Sequence, residues 1–391
     1  MENFTFHNTT DIRFGKDRFD QELKDAVSQF GNRVLLTYGG GSIKKSGLYD
    51  RVMKALPGLQ VTELAGIEPN PKIASVREGQ KLVKENDIDV ILAVGGGSVI
   101  DASKVIASAK FYEGDPWDLV LDSKKRFAID QLPIVDILTL SATGTEMNTG
   151  SVISNPETTQ KLGTGGPNTP AVSFLDPSLT YTVSKWQTAA GSIDIFSHLT
   201  EQYFDQKGYE NDVRNGLIEG IMRAVIKWAP VALKDPENYD ARANLMWAST
   251  MALNGLPRTG NVNSWTVHPI EHELSAYYDI THGVGLGILT PHWMDFVYSE
   301  ATRPWFVSFG RNVWNITGDD DDLIAKEAIA KTREWLASLE VPTTLPGVDI
   351  ETDENFAAMA ASAVKVNKLD QKAFVTMTEK DVVSLLEASM K

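Results

Sequence analysis

The histidines of this chain are unevenly distributed. Of six in 391 residues, three stand at positions 268, 272 and 282. Because four positions separate His268 from His272, a helix would present both on one face, a single turn apart. One such histidine is most simply explained as a helix cap or a buried polar group. Three together favour metal binding or proton transfer.

A carboxylate and a fourth histidine show the same spacing earlier in the chain. Asp194 and His198 lie four positions apart in an otherwise apolar segment, and a buried carboxylate needs a salt bridge, a hydrogen-bond network or a metal. With His268 and His282 they make a set of one carboxylate and three imidazoles, which suits a divalent first-row ion such as Fe²⁺ or Zn²⁺. His272 is better placed for proton transfer or ligand contact than for a further metal bond.

A glycine loop offers a site for phosphate. Gly95, Gly96, Gly97 and Ser98 follow an apolar stretch that predicts a buried strand and precede a small-residue helix. Backbone without side chains can approach a phosphate closely, and a helix N-terminus favours negative charge. The pattern is not GxGxxG, but its context is that of a dinucleotide-binding loop. Asp101, one turn further on, either caps free amides or accepts from a ligand hydroxyl.

A second loop of this kind follows the first predicted strand. Gly39, Gly40, Gly41 and Ser42 precede two lysines, where NAD-binding folds often carry an acid that holds the adenosine 2′-hydroxyl. An uncharged, donor-rich loop suits a 2′-phosphate better, which favours NADP(H) over NAD(H). The alternative is an ordinary glycine-rich turn with surface lysines.

The elements that must position these groups change character along the chain. Apolar runs at 33–38, 61–64, 90–94 and 134–138 alternate with loops and helical patterns, which is typical of parallel βαβ units in a doubly wound sheet. Residues 152–154 and 171–175 predict a β excursion before the sheet ends. Long helical patterns dominate from residue 185 onward, at 186–204, 211–233, 240–254 and 323–339. We therefore predict an α/β domain over 1–184 and an all-α domain over 185–391.

Composition excludes several classes of protein. The net charge of −15 disfavours nucleic acid and anionic membranes, whose binding depends on basic side chains. The absence of cysteine excludes disulfides, thiolate metal sites and a cysteine nucleophile. Neither a signal peptide nor a membrane-spanning apolar run is visible, so the expected compartment is the cytoplasm. His7 and His292 are not accompanied in the sequence by other candidate site residues and are expected to be structural.

Several segments together carry a family resemblance. The most specific are GGGSVID at 95–101, LTLSATGTEMN at 138–148, ARANLMWAS at 241–249 and HPIEHELSAYYDITHGVGLGILTP at 268–291. The chain resembles the iron-containing (metal-dependent, group III) alcohol dehydrogenases, in particular the butanol dehydrogenase and NADPH-dependent aldehyde reductase branch. The resemblance covers nearly the whole chain. It implies a Rossmann-like dinucleotide-binding domain followed by an all-α metal-binding domain, as in dehydroquinate synthase, and a homodimer.

The resemblance also implies roles for individual residues. Four match the family's metal ligands: Asp194, His198, His268 and His282. One, His272, matches a non-ligating histidine close to the nicotinamide. Pyrophosphate contacts match Gly95, Gly96, Gly97 and Ser98, with Asp101 beside them. Nicotinamide- and ribose-side contacts match Thr139, Thr143, Asn148 and Lys161, and an adenine contact matches Asn70. NAD-preferring members carry an acid where this chain has Gly39, so Gly39, Gly40 and Ser42 are expected to surround the 2′-phosphate of NADP(H).

The function expected from these parts is hydride transfer between NADP(H) and a short- to medium-chain aldehyde or primary alcohol, with one Fe²⁺ or Zn²⁺ ion. A metal- and NAD-dependent lyase like dehydroquinate synthase is the first alternative. It would need several basic residues for its substrate, whereas the expected surroundings of the metal are aromatic: Trp247, Trp265, Phe196, Tyr277 and Tyr278, with Arg258 as the nearest base. A non-catalytic nucleotide-binding module with a structural metal is the second alternative, although such sites usually use cysteine.

Overall fold

The computed structural model describes residues 2–205, 210–260 and 265–391. They form two compact units. One is His7–Val183, and the other is Ser184–Lys391 together with the N-terminal residues through Phe6. The first unit is α/β with a parallel sheet and the second is helical, so the predicted fold class is confirmed.

The first unit is organised around parallel strands. Its strands are β1 (Asp11–Phe14), β2 (Arg33–Tyr38), β3 (Gln60–Leu64), β4 (Val90–Gly95), β5 (Ile134–Leu138), β6 (Gly150–Asn155), β7 (Gln160–Gly165) and β8 (Val172–Leu175). Six of them form one sheet in the order β1-β8-β5-β4-β2-β3, with every neighbouring pair parallel. The other two, β6 and β7, pair as an antiparallel hairpin.

Helices cover both faces of this sheet. They are α1 (Arg18–Ser28), α2 (Ser42–Lys45), α3 (Leu48–Lys54), α4 (Ile73–Glu85), α5 (Gly97–Ala109), α6 (Trp117–Leu121) and α7 (Ser123–Phe127). Val34 and Leu36 of β2 belong to one core cluster with Phe19 of α1. Thr37, which alternation directs to the opposite face, lies with its Oγ1 2.8 Å from Ser103 Oγ of α5. The first unit is therefore doubly wound.

The second unit packs its helices around an aromatic core. They are α8 (Lys185–Tyr203), α9 (Asp212–Lys234), α10 (Tyr239–Leu253), α11 (Val267–Tyr278), α12 (His282–Val297), α13 (Arg303–Asn312), α14 (Asp321–Ser338), α15 (Phe356–Asn367), α16 (Leu369–Lys372) and α17 (Glu379–Ala388). The Phe204 ring lies 4.6 Å from that of Phe306, centroid to centroid, and Phe196 lies 4.8 Å from Trp335. None of the helices among the described residues combines the length and apolar character that crossing a bilayer requires.

The strand β1 was not predicted, and its properties explain why. It has four residues, Asp11 is exposed and the others are only partly buried. It pairs with β8 alone, at the edge of the sheet. An edge strand with two polar side chains in four lacks the apolar run on which strand prediction depends.

Candidate active site

The helix α8 positions the first two predicted metal ligands. Ser184 caps its N-terminus by accepting from Gln187 N at 3.2 Å. The helix is buried almost along its whole length, so Asp194 and His198 face the interior of the second unit. Their separation of four residues places both side chains on the same side, and His198 Nε2 lies 3.5 Å from Asp194 Oδ1.

Two other helices bring the remaining predicted ligands, His268 and His282, to the carboxylate of Asp194. His268, near the start of α11, approaches Asp194 Oδ1 with its Nε2 at 3.6 Å, and His282, the first residue of α12, does so at 3.7 Å. The structure thus brings together all four predicted ligands. Buried Asp194 Oδ1 and His268 Nε2 have no hydrogen-bond partner among the described residues. Unpaired buried atoms of this kind, on a carboxylate and an imidazole that two further imidazoles adjoin, fit a divalent cation.

The ionisable groups of the candidate metal site shift one another's pKa values in a way that suits a bound cation. Burial would raise the pKa of Asp194, but His198, His268 and His282 together hold it far below its usual range. Burial lowers the pKa of His198 to about 3. Burial would also lower that of His268, but Glu201 and Asp194 raise it to about 9. The surroundings of Asp194 therefore stabilise positive charge.

Two glutamates that were not predicted stand behind the histidines. Glu201 hydrogen-bonds His268 Nδ1, and Glu271 hydrogen-bonds His282 Nδ1. Both glutamates are buried. A signal was present for Glu201, because it shares a helix face with Asp194 and His198 at positions i+7 and i+3. Sequence alone could not show which distant group it meets.

His272 lies beside the candidate metal site, close to two of the predicted ligands. It is partly exposed, and its ring centroid lies 5.6 Å from that of His282 and 6.3 Å from that of His268. Trp265 borders the site, edge-on to His198 at 5.9 Å and to His268 at 4.9 Å.

One sequence-based interpretation near this site was wrong. Phe196 was expected beside the metal, but it is two residues from Asp194 on α8 and packs into the core against Trp335.

Gly283 follows the predicted ligand His282. It lies inside α12 and its φ is not positive. A Cβ there would lie 2.0 Å from the carbonyl oxygen of Ala190, so the glycine is required by the close approach of α12 to α8.

In the first unit, the predicted phosphate loop joins β4 to α5. Gly95 ends the strand and Gly97 begins the helix. A Cβ on Gly97 would lie 2.4 Å from Thr143 Oγ1, and Thr139 N donates to Gly95 O at 3.0 Å. The structure therefore brings the loop of Gly95, Gly96, Gly97 and Ser98 together with Thr139 and Thr143, at the carboxyl end of parallel strands where such sheets bind ligands.

A buried lysine that was not predicted supports the loop after β5. Lys104 of α5 donates from Nζ to Thr145 Oγ1 at 2.7 Å, to Asn148 Oδ1 at 3.1 Å and to Gly150 O at 2.9 Å. Asp101 accepts from Thr145 Oγ1 at 2.6 Å and from Val152 N at 2.8 Å. Asp101 and Asn148, both predicted to contact the cofactor, thus belong to the network that fixes the loop after β5.

The second glycine loop follows β2, next to β4 in the sheet. Gly39 O accepts from Gly66 N at 3.2 Å, so the connection after β3, which carries Asn70, lies against it. Lys44 pairs with Glu63 at 3.8 Å and lies over the ring of Tyr49. Gly40 and Ser42 are exposed. Lys161 is buried on β7.

Comparison with known families accounts for both units. The model of the iron-containing alcohol dehydrogenases matches residues 9–177. The model of the C-terminal part of the Fe-containing alcohol dehydrogenase family matches residues 188–390.

Relatives match over most of their length. The chain is 49% identical over 370 residues to NADH-dependent butanol dehydrogenase A of Clostridium acetobutylicum, covering 93% of this chain and 94% of that protein. It is 41% identical over 349 residues to the NADPH-dependent aldehyde reductase YqhD of Escherichia coli, covering 88% and 89%. The crystal structure of NADH-dependent butanol dehydrogenase A from Thermotoga maritima superposes with a TM-score of 0.94 at 37% identity, covering 100% of this chain and 99% of that chain.

These matches do not favour the lyase or the non-catalytic module as the function of this chain. They agree with the carboxylate and imidazole set on α8, α11 and α12, and with the glycine loop after β4. The chain belongs to the iron-containing alcohol dehydrogenase family and is an oxidoreductase.

Proposed function

We propose that this protein transfers a hydride between NADP(H) and a short- to medium-chain aldehyde or primary alcohol, with the help of one divalent metal ion. The observation that carries the proposal is the convergence of three imidazole Nε2 atoms on Asp194 Oδ1, at 3.5, 3.6 and 3.7 Å. The names of its relatives, butanol dehydrogenase and aldehyde reductase, support the substrate class.

The proposed metal ligands are Asp194, His198, His268 and His282. An Fe²⁺ or Zn²⁺ ion bound by them would supply Lewis acidity, which polarises the carbonyl of an aldehyde toward hydride attack. The chain's own part is to keep Asp194 charged and the imidazoles in place. Trp265, edge-on to two of the imidazoles, offers apolar surface that suits an uncharged substrate.

We assign proton transfer to His272. It is partly exposed, so it can exchange protons with water, and it lies beside His282 and His268. An imidazole can give a proton to an alkoxide and take one from an alcohol.

The proposed cofactor contacts surround the carboxyl ends of β2, β4 and β5. They are Gly95, Gly96, Gly97, Ser98, Asp101, Thr139, Thr143, Asn148, Lys161 and Asn70, with Gly39, Gly40 and Ser42 at the 2′-phosphate. The names of the relatives are divided between NADH and NADPH, so the preference for NADP(H) is supported by the acid-free loop alone. Exposed Gly40 and Ser42 leave room there for a phosphate.

The test of the metal site is His268→Ala. Removing one of three imidazoles should abolish both the bound metal and aldehyde reduction, while circular dichroism shows an intact helical fold. Metal analysis and turnover with butanal measure the two losses, and His7→Ala, which changes an exposed histidine in the first unit, is the control. Undiminished turnover in a metal-free His268→Ala protein would contradict the proposed mechanism.

The cofactor preference is tested by Gly39→Asp. A carboxylate at this position should repel a 2′-phosphate and accept from a 2′-hydroxyl, so the ratio of kcat/KM for NADPH to that for NADH should fall. A Cβ at Gly39 would lie 3.2 Å from Ile67 O, and Gly39→Ala therefore controls for this steric effect. A wild-type enzyme that prefers NADH would refute the interpretation of the loop.

The cytoplasmic location and the homodimer remain predictions, drawn from the sequence and from the family resemblance. Light scattering coupled to size-exclusion chromatography tests the second. A mass of one chain, 43.0 kDa, would contradict it.

A further inference from the structure

Glu201 and Glu271 hydrogen-bond the Nδ1 atoms of two candidate metal ligands, His268 and His282. We propose that they are positioning residues: they hold His268 and His282 as the tautomers that direct Nε2 toward the metal, and thereby set the affinity of the site. The inference rests on the proposed function only in requiring the same metal site.

Glu201 serves two elements at once. Its Oε2 accepts from Thr266 N at 2.5 Å and from Val267 N at 2.6 Å, and its Oε1 accepts from His268 N at 3.1 Å and from the His268 ring. Three of these donors are backbone groups at the N-terminus of α11, which a helix cannot satisfy internally. A carboxylate from α8 therefore caps α11 and fixes its first ligand in one step.

Glu271 is held in a different way. It is fully buried, and it accepts from Ser275 Oγ at 2.5 Å and from the Nδ1 of His282. Gly285 of α12 makes room for it, since a Cβ there would lie 2.9 Å from Glu271 Cγ. The space beside Gly285 and the hydrogen bond from Ser275 Oγ both orient Glu271 toward His282.

The chemistry of an imidazole decides what these contacts do. An ionised carboxylate can only accept a hydrogen bond, so each Nδ1 carries a proton. The neutral form of each imidazole then has its lone pair on Nε2, where a metal requires it. Such a partner also makes the imidazole a stronger ligand. His198 differs, because its buried Nδ1 has no hydrogen-bond partner among the described residues. The glutamates thus orient two of the three imidazoles, those of His268 and His282, and make them stronger metal ligands.

The two glutamates should respond differently to conservative replacement. In Glu271→Gln the amide oxygen still accepts from His282 and the amide nitrogen can donate to Ser275 Oγ, so orientation is kept and only the charge is lost. Glu271→Leu removes both. The two carboxylate oxygens of Glu201 together accept from four donors. In Glu201→Gln one of these oxygens becomes an NH₂ group, which then faces N–H donors instead of accepting from them.

We expect affinity for Co²⁺ to fall roughly 10-fold in Glu271→Gln and roughly 100-fold in Glu271→Leu, the range known for such partners of ligating histidines. Glu201→Gln should lose more than Glu271→Gln, and should also melt at a lower temperature without metal because α11 loses its cap. Glu273→Gln is the matched control. Glu273 is a buried carboxylate on the same helix, but it accepts from Ser362 of α15, so its replacement should leave Co²⁺ affinity within about twofold of wild type.

The measurement is a titration of the metal-free full-length protein with Co²⁺ against a competing chelator. The visible absorption of bound Co²⁺ reports its ligand field, and thermal melting without metal reports the fold. A purely structural role would lower the melting temperature while leaving the Co²⁺ dissociation constant and spectrum unchanged.

The outcomes separate this inference from the proposed function. A graded loss of Co²⁺ affinity in the order Glu271→Gln, then Glu271→Leu supports it, even if no aldehyde is reduced. Affinities within twofold of wild type in both variants, with normal turnover in the wild-type enzyme, overturn the inference and leave the function standing. A wild-type protein that binds no Co²⁺ overturns both.

Discussion

Glu273 makes the stability of the helical unit depend on pH in an unusual direction. This carboxyl on α11 is 8% exposed and accepts from Ser362 Oγ at 2.7 Å. Burial raises its pKa to about 7, and the hydrogen bond from Ser362 only partly opposes this. Unlike Asp194, it has no nearby cation among the causes of its shift, so the protonated form is the one that the fold favours.

The sign and size of the effect follow from linkage. Between a reference pKa of 4.5 and a folded pKa of about 7, the folded state binds a proton that the unfolded state has lost. Stability is therefore complete below pH 4.5, falls as the pH rises to 7, and stays low above. A difference of about 2.5 pH units corresponds to roughly 3 kcal/mol. Glu273→Gln cannot ionise, so it should remove this loss.

The assay is thermal melting of wild type and Glu273→Gln between pH 5 and pH 8. At pH 8 the variant should melt roughly 6–12 °C above wild type, taking about 2–4 °C per kcal/mol for a unit of this size, and the gap should narrow toward pH 5. Glu387→Gln, an exposed carboxylate on α17, controls for the change in net charge. If the difference in melting temperature between wild type and Glu273→Gln is the same at every pH in this range, the reasoning is refuted.

Two further predictions concern the loop after β4 and the core behind the ligands. Gly97→Ala should raise the KM for NADPH at least roughly 10-fold, or about 1.4 kcal/mol, because the new methyl must displace Thr143, whose Oγ1 would lie 2.4 Å away. Steady-state kinetics measures the KM. An unchanged KM would argue against cofactor binding at this loop. Phe196→Ala should cost about 3–5 kcal/mol of stability because it removes the packing against Trp335. Metal bound per folded molecule should stay the same, and a loss of metal would mean that Phe196 supports the site after all.

Much of the fold was accessible from local pattern. The apolar runs at β2, β3, β4 and β5 and the long helical periods of α8, α9, α10 and α14 are signals within single segments. The four-residue spacing of Asp194 with His198 is also local, and it brought both residues into the predicted ligand set, whose four members the structure places close together. What these signals share is that each lies within one element and needs no knowledge of its neighbours.

The features that sequence did not reveal all depend on contact between distant segments. Glu201 receives three backbone donors from the start of α11, and no pattern within α8 announces them. Lys104 sits in a small-residue helix, where its burial against the loop after β5 could not be foreseen. Lys44, expected near the second glycine loop, also pairs with Glu63 of β3, a partner that no local pattern indicates.

The contact at Gly283 has a consequence for protein engineering. Here α12 rests on the main chain of α8, with space for no more than a hydrogen atom between Gly283 and the Ala190 carbonyl. Ordinary core redesign adjusts the distance between helices by exchanging larger and smaller side chains, and at this point there is no side chain to exchange. Ca²⁺ needs longer bonds, about 2.3–2.6 Å, and more oxygen ligands than a first-row ion. Re-targeting this protein to such an ion would have to change the ligating residues themselves, because the spacing beside His282 is set by the backbone.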